Sequence, residues 1–404
     1  MNIFKLSIKN IFNKPLSSTI SLALLILGIG IISLLLQLNS LIKDQMDNNL
    51  KGIDMVVGAK GSPLQLILSS VYHIDSPTGN ISLGEAEKIS KNRMVGSSIK
   101  LLYGDNYKGY RIVGTEKKFI ELYKAKIKEG KEWDSSYEVI VGYKVHKKLN
   151  INIGDELVSL HGLRETGESH DGEPFKVVGL LEPSNSVIDQ LIITSPESVW
   201  DIHDTHDHDE DHDDDHDHDH DEDDKEITAM LIKFKSPMNI IQFPRQINEN
   251  TNLQAAVPSY EISRLFKLFG FGIETLSYLA YIIIIVSGFS LFINLFNSMN
   301  ERKYEMALIR TLGASRFQLS RMIIFESLIL TTLGFILGLL FSRFGVMFVS
   351  SLMEESLNYN LNSFKILIEE YWLLGLSVSI GLICSLIPAI RVYQMNISKI
   401  LADE

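Results

Sequence analysis

Residues 203–224 read HDTHDHDEDHDDDHDHDHDEDD, the densest set of metal-ligating side chains in this 404-residue chain. His203, His206, His208, His212, His216, His218 and His220 are seven of its 11 histidines. Neutral imidazole suits Zn²⁺, Ni²⁺, Cu²⁺ and Co²⁺, and the interleaved aspartates add hard oxygen ligands and negative charge. Several of these histidines recur two apart, so an extended segment can bring more than one donor to the same ion. Such a run offers interchangeable, labile sites, suited to capturing and handing on Zn²⁺ rather than to one fixed tetrahedron. The plainer alternative is a solvated acidic loop, or one that responds to pH because imidazole titrates near 6.5. With no apolar content the run cannot offset its ordering entropy, so a disordered surface loop is expected.

The same run explains the charge. Lys and Arg number 38 against 50 Asp and Glu, a net charge of -12. Residues 201–224 hold fifteen of the acidic residues and no Lys or Arg, so the rest of the chain stands at 38 against 35, or +3. The acidity is one insertion, not a property of the whole surface. Elsewhere, reactive side chains do not converge. His73, His146, His161 and His170 are scattered, with no nucleophile–base pair that spacing supports. The single cysteine, Cys384, excludes a disulfide within the chain. No GxxxxGK[ST] stretch occurs, so the chain has no P-loop of its own.

These residues must be placed by elements, and the apolar ones are bunched. Thr19–Leu38, Thr275–Met299, Met322–Met353 and Tyr371–Ile390 each reach the roughly 20 residues that span a bilayer. Backbone groups in lipid must be satisfied within the segment, so each is read as a helix. The first lacks a small-residue cleavage site after its apolar run and is expected to remain as a membrane helix. Only Glu326 and Arg343 interrupt the third span. Both are expected to snorkel to the nearer interface, the alternative being a functional charge within the membrane. Gly334 and Gly338 form a GxxxG that permits close helix contact.

Positive charge collects in the N-terminal tail (Lys5, Lys9, Lys14), the 300–321 loop (Arg302, Lys303, Arg310, Arg316, Arg321) and the C-terminal tail (Arg391, Lys399). The 354–370 loop has Lys365 against Glu354, Glu355, Glu369 and Glu370. The positive-inside bias therefore places both termini and the 300–321 loop in the cytoplasm. The fold class expected is a polytopic α-helical membrane protein with four transmembrane helices and a large α+β extracytoplasmic domain between the first two. The divisions are a cytoplasmic segment 1–18, spans 19–42, 269–299, 319–353 and 371–391, and a domain 43–268 carrying the loop 203–224. A cytoplasmic segment 300–318, a short external loop 354–370 and a cytoplasmic tail 392–404 complete the chain.

Within 43–268, Tyr110–Gly114, Glu138–Gly142, Phe175–Leu180, Leu191–Thr194 and Ile227–Phe234 read as strands, and Leu157–Leu160 as a strand after a turn. Ser82–Lys91, Lys117–Glu121, Gly142–Leu149 and Pro196–Trp200 read as helices, with Ser82 and Glu85 forming a capping box.

Glu301-Arg-Lys-Tyr-Glu-Met-Ala-Leu-Ile-Arg-Thr-Leu-Gly-Ala314 follows the second span. It reads as a short helix stopped by Gly313. Met306, Ile309 and Leu312 are expected on its apolar face, with Arg302, Glu305 and Arg310 free for water or a partner.

This segment resembles the ER-x-x-E-[IM]-A-x-x-R-x-L-G-A signature of FtsX-like ABC-transporter permeases, which include MacB-type exporters and lipoprotein-releasing permeases. Lys9-Asn-Ile-Phe-Asn-Lys-Pro15, Phe325-Glu326-Ser-Leu and Pro388-Ala-Ile-Arg391 followed by Ile400-Leu401 are similar to further family segments. The resemblance implies a non-catalytic permease subunit that dimerises and works with a cytoplasmic ABC ATPase acting in trans. ATP is then bound by the partner, and the permease has no intrinsic cofactor beyond Zn²⁺ at the His/Asp loop. Glu301, Arg302, Glu305, Met306, Arg310 and Gly313 carry over as ATPase-coupling positions. A periplasmic binding or adaptor protein is a further expected partner, and nucleic acid is not. The His/Asp insertion is no part of the family pattern and points to zinc or metal handling. The alternatives are lipoprotein release, small-molecule or peptide export, and mechanical control of a cell-wall hydrolase.

Overall fold

The computed structural model describes residues 7–10, 15–50, 52–162, 174–206, 225–357 and 366–395. The chain divides into two compact units, Met1–Ile42 with Phe269–Glu404, and Lys43–Leu268. In chain order the helices are α1 (Pro15–Leu50), α2 (Pro63–Ser70), α3 (Leu83–Ser90), α4 (Lys118–Leu122), α5 (Tyr143–Leu149), α6 (Pro196–His206), α7 (Asn239–Asn250), α8 (Pro258–Glu301), α9 (Lys303–Thr311), α10 (Arg316–Leu357) and α11 (Ile368–Gln394).

α1, α8, α10 and α11 are each long and apolar enough to cross a membrane, the four spans expected from the sequence. Small residues bring α1 and α10 together. A Cβ on Gly338 would stand 3.1 Å from the Ile29 side chain, and one on Gly334 would stand 2.9 Å from Leu25. The GxxxG therefore does serve close contact, and α1 is its partner. Three hydroxyl-to-carbonyl bonds join α10 to α11: Ser320 to Ala389 at 2.9 Å, Ser327 to Gly381 at 2.7 Å and Ser377 to Thr331 at 2.9 Å.

The helix ends depart from the sequence reading. α11 begins at Ile368, so Glu369 and Glu370 stand in its first turn rather than in a loop. Arg343 does not snorkel, because it pairs with Glu370 (Nη2 to Oε2, 2.7 Å). Glu326 is buried.

The 43–268 unit is built on a mixed sheet. Its strands are β1 (Met55–Ala59), β2 (Ile81–Ser82), β3 (Val95–Tyr107), β4 (Tyr110–Thr115), β5 (Ile127–Gly130), β6 (Glu138–Val141), β7 (Glu156–Leu157), β8 (Leu160–His161), β9 (Phe175–Leu181), β10 (Ile192–Thr194), β11 (Glu226–Ile227), β12 (Ala229–Phe234) and β13 (Leu253–Ala256). The large sheet runs β13-β1-β12-β3-β4-β10-β6-β9-β5, with β7 on β9 and β8 on β3, while β11 and β2 pair separately. β10–β4 and β6–β9 are parallel.

Both faces of the sheet are covered, so successive strand residues enter different cores. Val56, Leu101, Val113, Ile140, Ile193 and Leu231 pack with α2 and α4 through Leu66, Ile67 and Phe119. Their neighbours Met55, Val57, Leu102, Met230 and Ile232 pack with α3 and α7 through Ala86, Ile89, Phe243 and Ile247. Ile112, Val139, Val141 and Ile192 form a third cluster with Val145 of α5 and Ile202 of α6.

Three local expectations change. Ser82 makes no side-chain cap, because it is drawn into β2 opposite Glu226 and the Leu83 N–H donates to Lys225 O (2.8 Å). The run Ile227–Phe234 is two strands in two sheets, broken at Thr228, whose N–H donates to Leu101 O (3.0 Å) and whose Oγ1 accepts from Tyr103 N–H (3.1 Å). The segment 157–160 is likewise split into β7 and β8, on different neighbours.

One buried histidine has a structural part. His73 has φ 54° and is enclosed, with its Nδ1 3.0 Å from Tyr103 Oη and its ring edge-on to Phe119. Burial, and then the charge of nearby Arg111, hold His73 well below the usual imidazole value. The native state therefore binds this proton less readily than the unfolded chain, so stability is full above about pH 6.5 and falls as pH drops below it. Protection of the β3 amides in the purified full chain, taken relative to the intrinsic exchange rate at each pH, is expected to fall between pH 7.5 and 5.5, and His73→Asn is expected to flatten that change.

Candidate functional site

The segment 301–315 is shaped by two adjacent caps. α8 ends at Glu301, the backbone breaks at Arg302 (φ −103°, ψ 14°) and α9 starts at Lys303. At the far end Gly313 has φ +100°, its N–H donates to Arg310 O (3.0 Å) and the Ala314 N–H donates to Ile309 O (3.2 Å). That pair of bonds is a Schellman stop, so Gly313 acts as expected. Ser315 then opens α10. The Gln318 N–H donates to Ser315 Oγ (3.2 Å) and the Ser315 N–H donates to Gln318 Oε1 (2.8 Å), a reciprocal capping box. The chain thus reverses within Gly313–Ser315.

α9 has one held face and one open face. Met306 and Ala307 are buried, and Met306 packs with Leu291, Leu295 and Met299 of α8, Leu319 and Ile323 of α10 and Val392 of α11. Arg302 donates from Nη2 to Asn10 Oδ1 and lies 3.5 Å from Glu305. Arg310 donates from Nη1 to Met395 O (3.2 Å). Ser7 and Asn10 in turn bond Met322 of α10. The two arginines are therefore anchors, which corrects their reading as free groups. Leu312 is also misplaced by the sequence reading: it is 82% exposed, with Ile309 half-buried. At 100° per residue two steps of three carry Leu312 about 120° round the helix from Met306, to the edge of the buried side. The open face is Tyr304, Leu308 and Leu312, four apart, with Tyr304 45% and Leu308 49% exposed. Glu301 and Glu305 lie exposed beside this apolar ridge.

A second cluster sits at the other end of α10. Glu370 Oε1 accepts from Arg343 Nη1 (2.9 Å), Ser33 Oγ (2.7 Å) and Gln37 Nε2 (3.4 Å). Its Oε2 accepts from Arg343 Nη2 (2.7 Å) and the Leu367 N–H (3.1 Å). Spacing along the chain gave no sign of it, since Glu370 read as a loop charge and its partners lie up to 337 residues away.

Of the seven expected metal ligands, His203 and His206 fall within the bounds of α6. This extends the helix past the expected Trp200 and takes 203–206 out of the expected disordered loop. Ser195 Oγ accepts from the Ser198 N–H (3.3 Å) with Pro196 first in the helix, a start from which each further residue adds one bond. His208, His212, His216, His218 and His220 lie outside the described residues, as does His170. Among the described residues no group of three or more His, Cys, Asp or Glu is placed to hold a metal. The mouth of the 207–224 segment is pinned: Trp200 Nε1 donates to Glu226 O (2.8 Å) and Lys225 Nζ lies 5.0 Å above the Trp200 ring.

Residues 18–249 match the family described as MacB-like periplasmic core domain, and residues 277–397 match the family described as FtsX-like permease C-terminal. No curated protein matches the chain. Among solved structures it is similar to the periplasmic region of MacB from Actinobacillus actinomycetemcomitans, at 11% identity and a TM-score of 0.33, covering 54% of this chain and 95% of that one. It is also similar to the extracellular domain of the noncanonic ABC-type transporter YknZ from Gram-positive bacteria, at 11% identity and a TM-score of 0.31, covering 50% and 98%.

The two faces of α9 predict opposite responses to truncation. Met306→Ala removes a buried side chain and is expected to cost about 2–5 kcal/mol, whereas exposed Leu308→Ala is expected to stay within about 0.5 kcal/mol. Thermal unfolding of the detergent-purified protein checks both.

Proposed function

The chain belongs to the FtsX-like permeases that carry a MacB-like periplasmic core domain, and from that premise we propose that it couples a separate ATPase to its periplasmic domain through α9. Permeases of this type are multi-pass inner membrane proteins, generally non-catalytic, that partner with a cytoplasmic ABC ATPase. In this reading both termini and α9 are cytoplasmic, ATP is bound by the partner, and two copies of the chain form the permease. The observation that carries the reading is the two-sided α9. Its Met306 and Ala307 face is fixed to the helices around it, and its Tyr304–Leu308–Leu312 ridge is left open. An amphipathic helix with apolar anchors four residues apart is the form that docks in a groove of a partner. Arg302 and Arg310 hold the helix, Glu301 and Glu305 flank the ridge, and Gly313 ends it. Because α8 runs from Pro258 to Glu301, it is the covalent link between the domain and α9.

The ridge predicts a specific failure. Leu308→Asp with Leu312→Asp is expected to leave membrane insertion and thermal stability unchanged while lowering co-purification of the ATPase at least tenfold. Unchanged co-purification contradicts the docking face.

The substrate reading rests on the His/Asp run. A ligand-rich segment held at its mouth by Trp200, Lys225 and Glu226 suits capture of Zn²⁺ without strain on the sheet behind it. Deleting 207–224 is expected to leave ATPase pairing intact, to abolish most Zn²⁺ uptake by the purified protein in equilibrium dialysis and to change growth under zinc limitation or excess. A strain with unchanged zinc response contradicts the metal role.

A further inference from the structure

α8 and α11 leave an apolar groove between them. It has a volume of about 570 Å³ and is lined by Gly288, Phe289 and Phe292 of α8 and by Ile380, Ile383 and Ile387 of α11, with Tyr281 and Leu376 at one end. The two helices meet at Gly288, whose carbonyl accepts from the Cys384 S–H (3.1 Å). Phe289, Ile383 and Ile387 stand exposed along it.

The length of the groove suits one kind of occupant. Tyr281 to Phe292 is eleven steps along α8, and Leu376 to Ile387 eleven along α11, about 16 Å in each case. That is half of a hydrocarbon core roughly 30 Å thick. A spanning helix of a second copy needs the full depth, whereas an acyl chain needs one leaflet.

The groove also runs into a cation. The Phe292 ring lies 5.9 Å from that of Phe296, one turn further on, and the Arg391 guanidinium stands 4.8 Å over Phe296. Arg391 is one turn past Ile387 and ends the uncharged run Tyr371–Ile390. It is exposed, and no described residue makes a hydrogen bond or an ion pair with it. Two other arginines at this end are committed, Arg302 to Asn10 and Arg310 to the Met395 carbonyl. The ring steadies Arg391, and its fork of N–H donors is left for a ligand. Such a fork at headgroup depth matches a phosphate, and basic pockets between spanning helices take anionic headgroups.

We propose that this groove and Arg391 bind one anionic glycerophospholipid, with an acyl chain between α8 and α11 and the phosphate on Arg391. The bound lipid bridges the two helices at the end where Val392, next to Arg391, packs with Met306 of α9. That end is the one proposed above to be cytoplasmic, so the inner leaflet rests on that reading and the site itself does not.

Photo-labelling of the full chain in phosphatidylcholine nanodiscs tests it, and needs no ATPase. The probe is a trace of phosphatidylglycerol with a diazirine on one acyl chain. It is expected to label peptides carrying 281–292 and 376–387 above other lipid-facing stretches. Excess unlabelled phosphatidylglycerol, but not phosphatidylcholine, is expected to lower that labelling at least fivefold. Arg391→Gln is expected to lower it as far, and Arg391→Lys to keep at least half of it. Ile383→Trp fills the groove from an exposed position, so it tests the site without disturbing packing, and is also expected to lower labelling at least fivefold. Equal competition by the two lipids, or labelling indifferent to Arg391→Gln or to Ile383→Trp, leaves only ordinary surrounding lipid and overturns the proposal. Absence of groove labelling overturns it as well, and joining of Cys384 between two copies by a short bis-maleimide then identifies a second copy as the occupant.

Discussion

A carboxylate enclosed by apolar helices persists only when its charge is fully answered, and the membrane unit is arranged around one such group. Glu370 takes two bonds from Arg343 and one each from Ser33, Gln37 and the Leu367 backbone. Those partners belong to three different helices, so satisfying one side chain fixes the register of three elements at once. The small residues along α1 and α10 follow from the same demand. Gly30 and Gly338 let the backbones approach until serine hydroxyls and a glutamine amide reach the carboxylate.

At the other end of α10 the chemistry is milder and the purpose differs. α9 is held by buried Met306 and by two arginines that bond the chain on either side of it, Asn10 and the Met395 carbonyl. A Schellman stop at Gly313 and the capping box of Ser315 and Gln318 turn the chain sharply into α10. A helix fixed on one side and capped at its end transmits a push as displacement rather than as unfolding. That property is what the proposed docking of an ATPase on α9 requires.

Much of this architecture was legible in the sequence, for a physical reason. Four apolar runs can only be spans, and Gly313 after Leu312 can only be a stop, because lipid and the left-handed backbone each admit few alternatives. The side of α9 was less legible. The even spacing of Met306, Ile309 and Leu312 suggested one face, yet steps of three slip round the helix and carry Leu312 away from the side that α8, α10 and α11 cover. β1 and β13 were missed because both faces of the sheet are covered, so Met55–Ala59 and Leu253–Ala256 carry no regular alternation of apolar and polar residues. Glu370 was hidden for a different reason. Its partners lie 27, 333 and 337 residues away, and local charge counting assigns such a residue to the nearest loop.

The open ridge of α9 is the face proposed to engage the ATPase. A photo-activatable residue at Tyr304, Leu308 or Leu312, and separately at Met306, tests it in the assembled complex. The ridge positions are expected to crosslink the ATPase and Met306 to crosslink only within the permease. Crosslinking of the ATPase from Met306, or none from the three ridge positions, would show that the ATPase docks elsewhere.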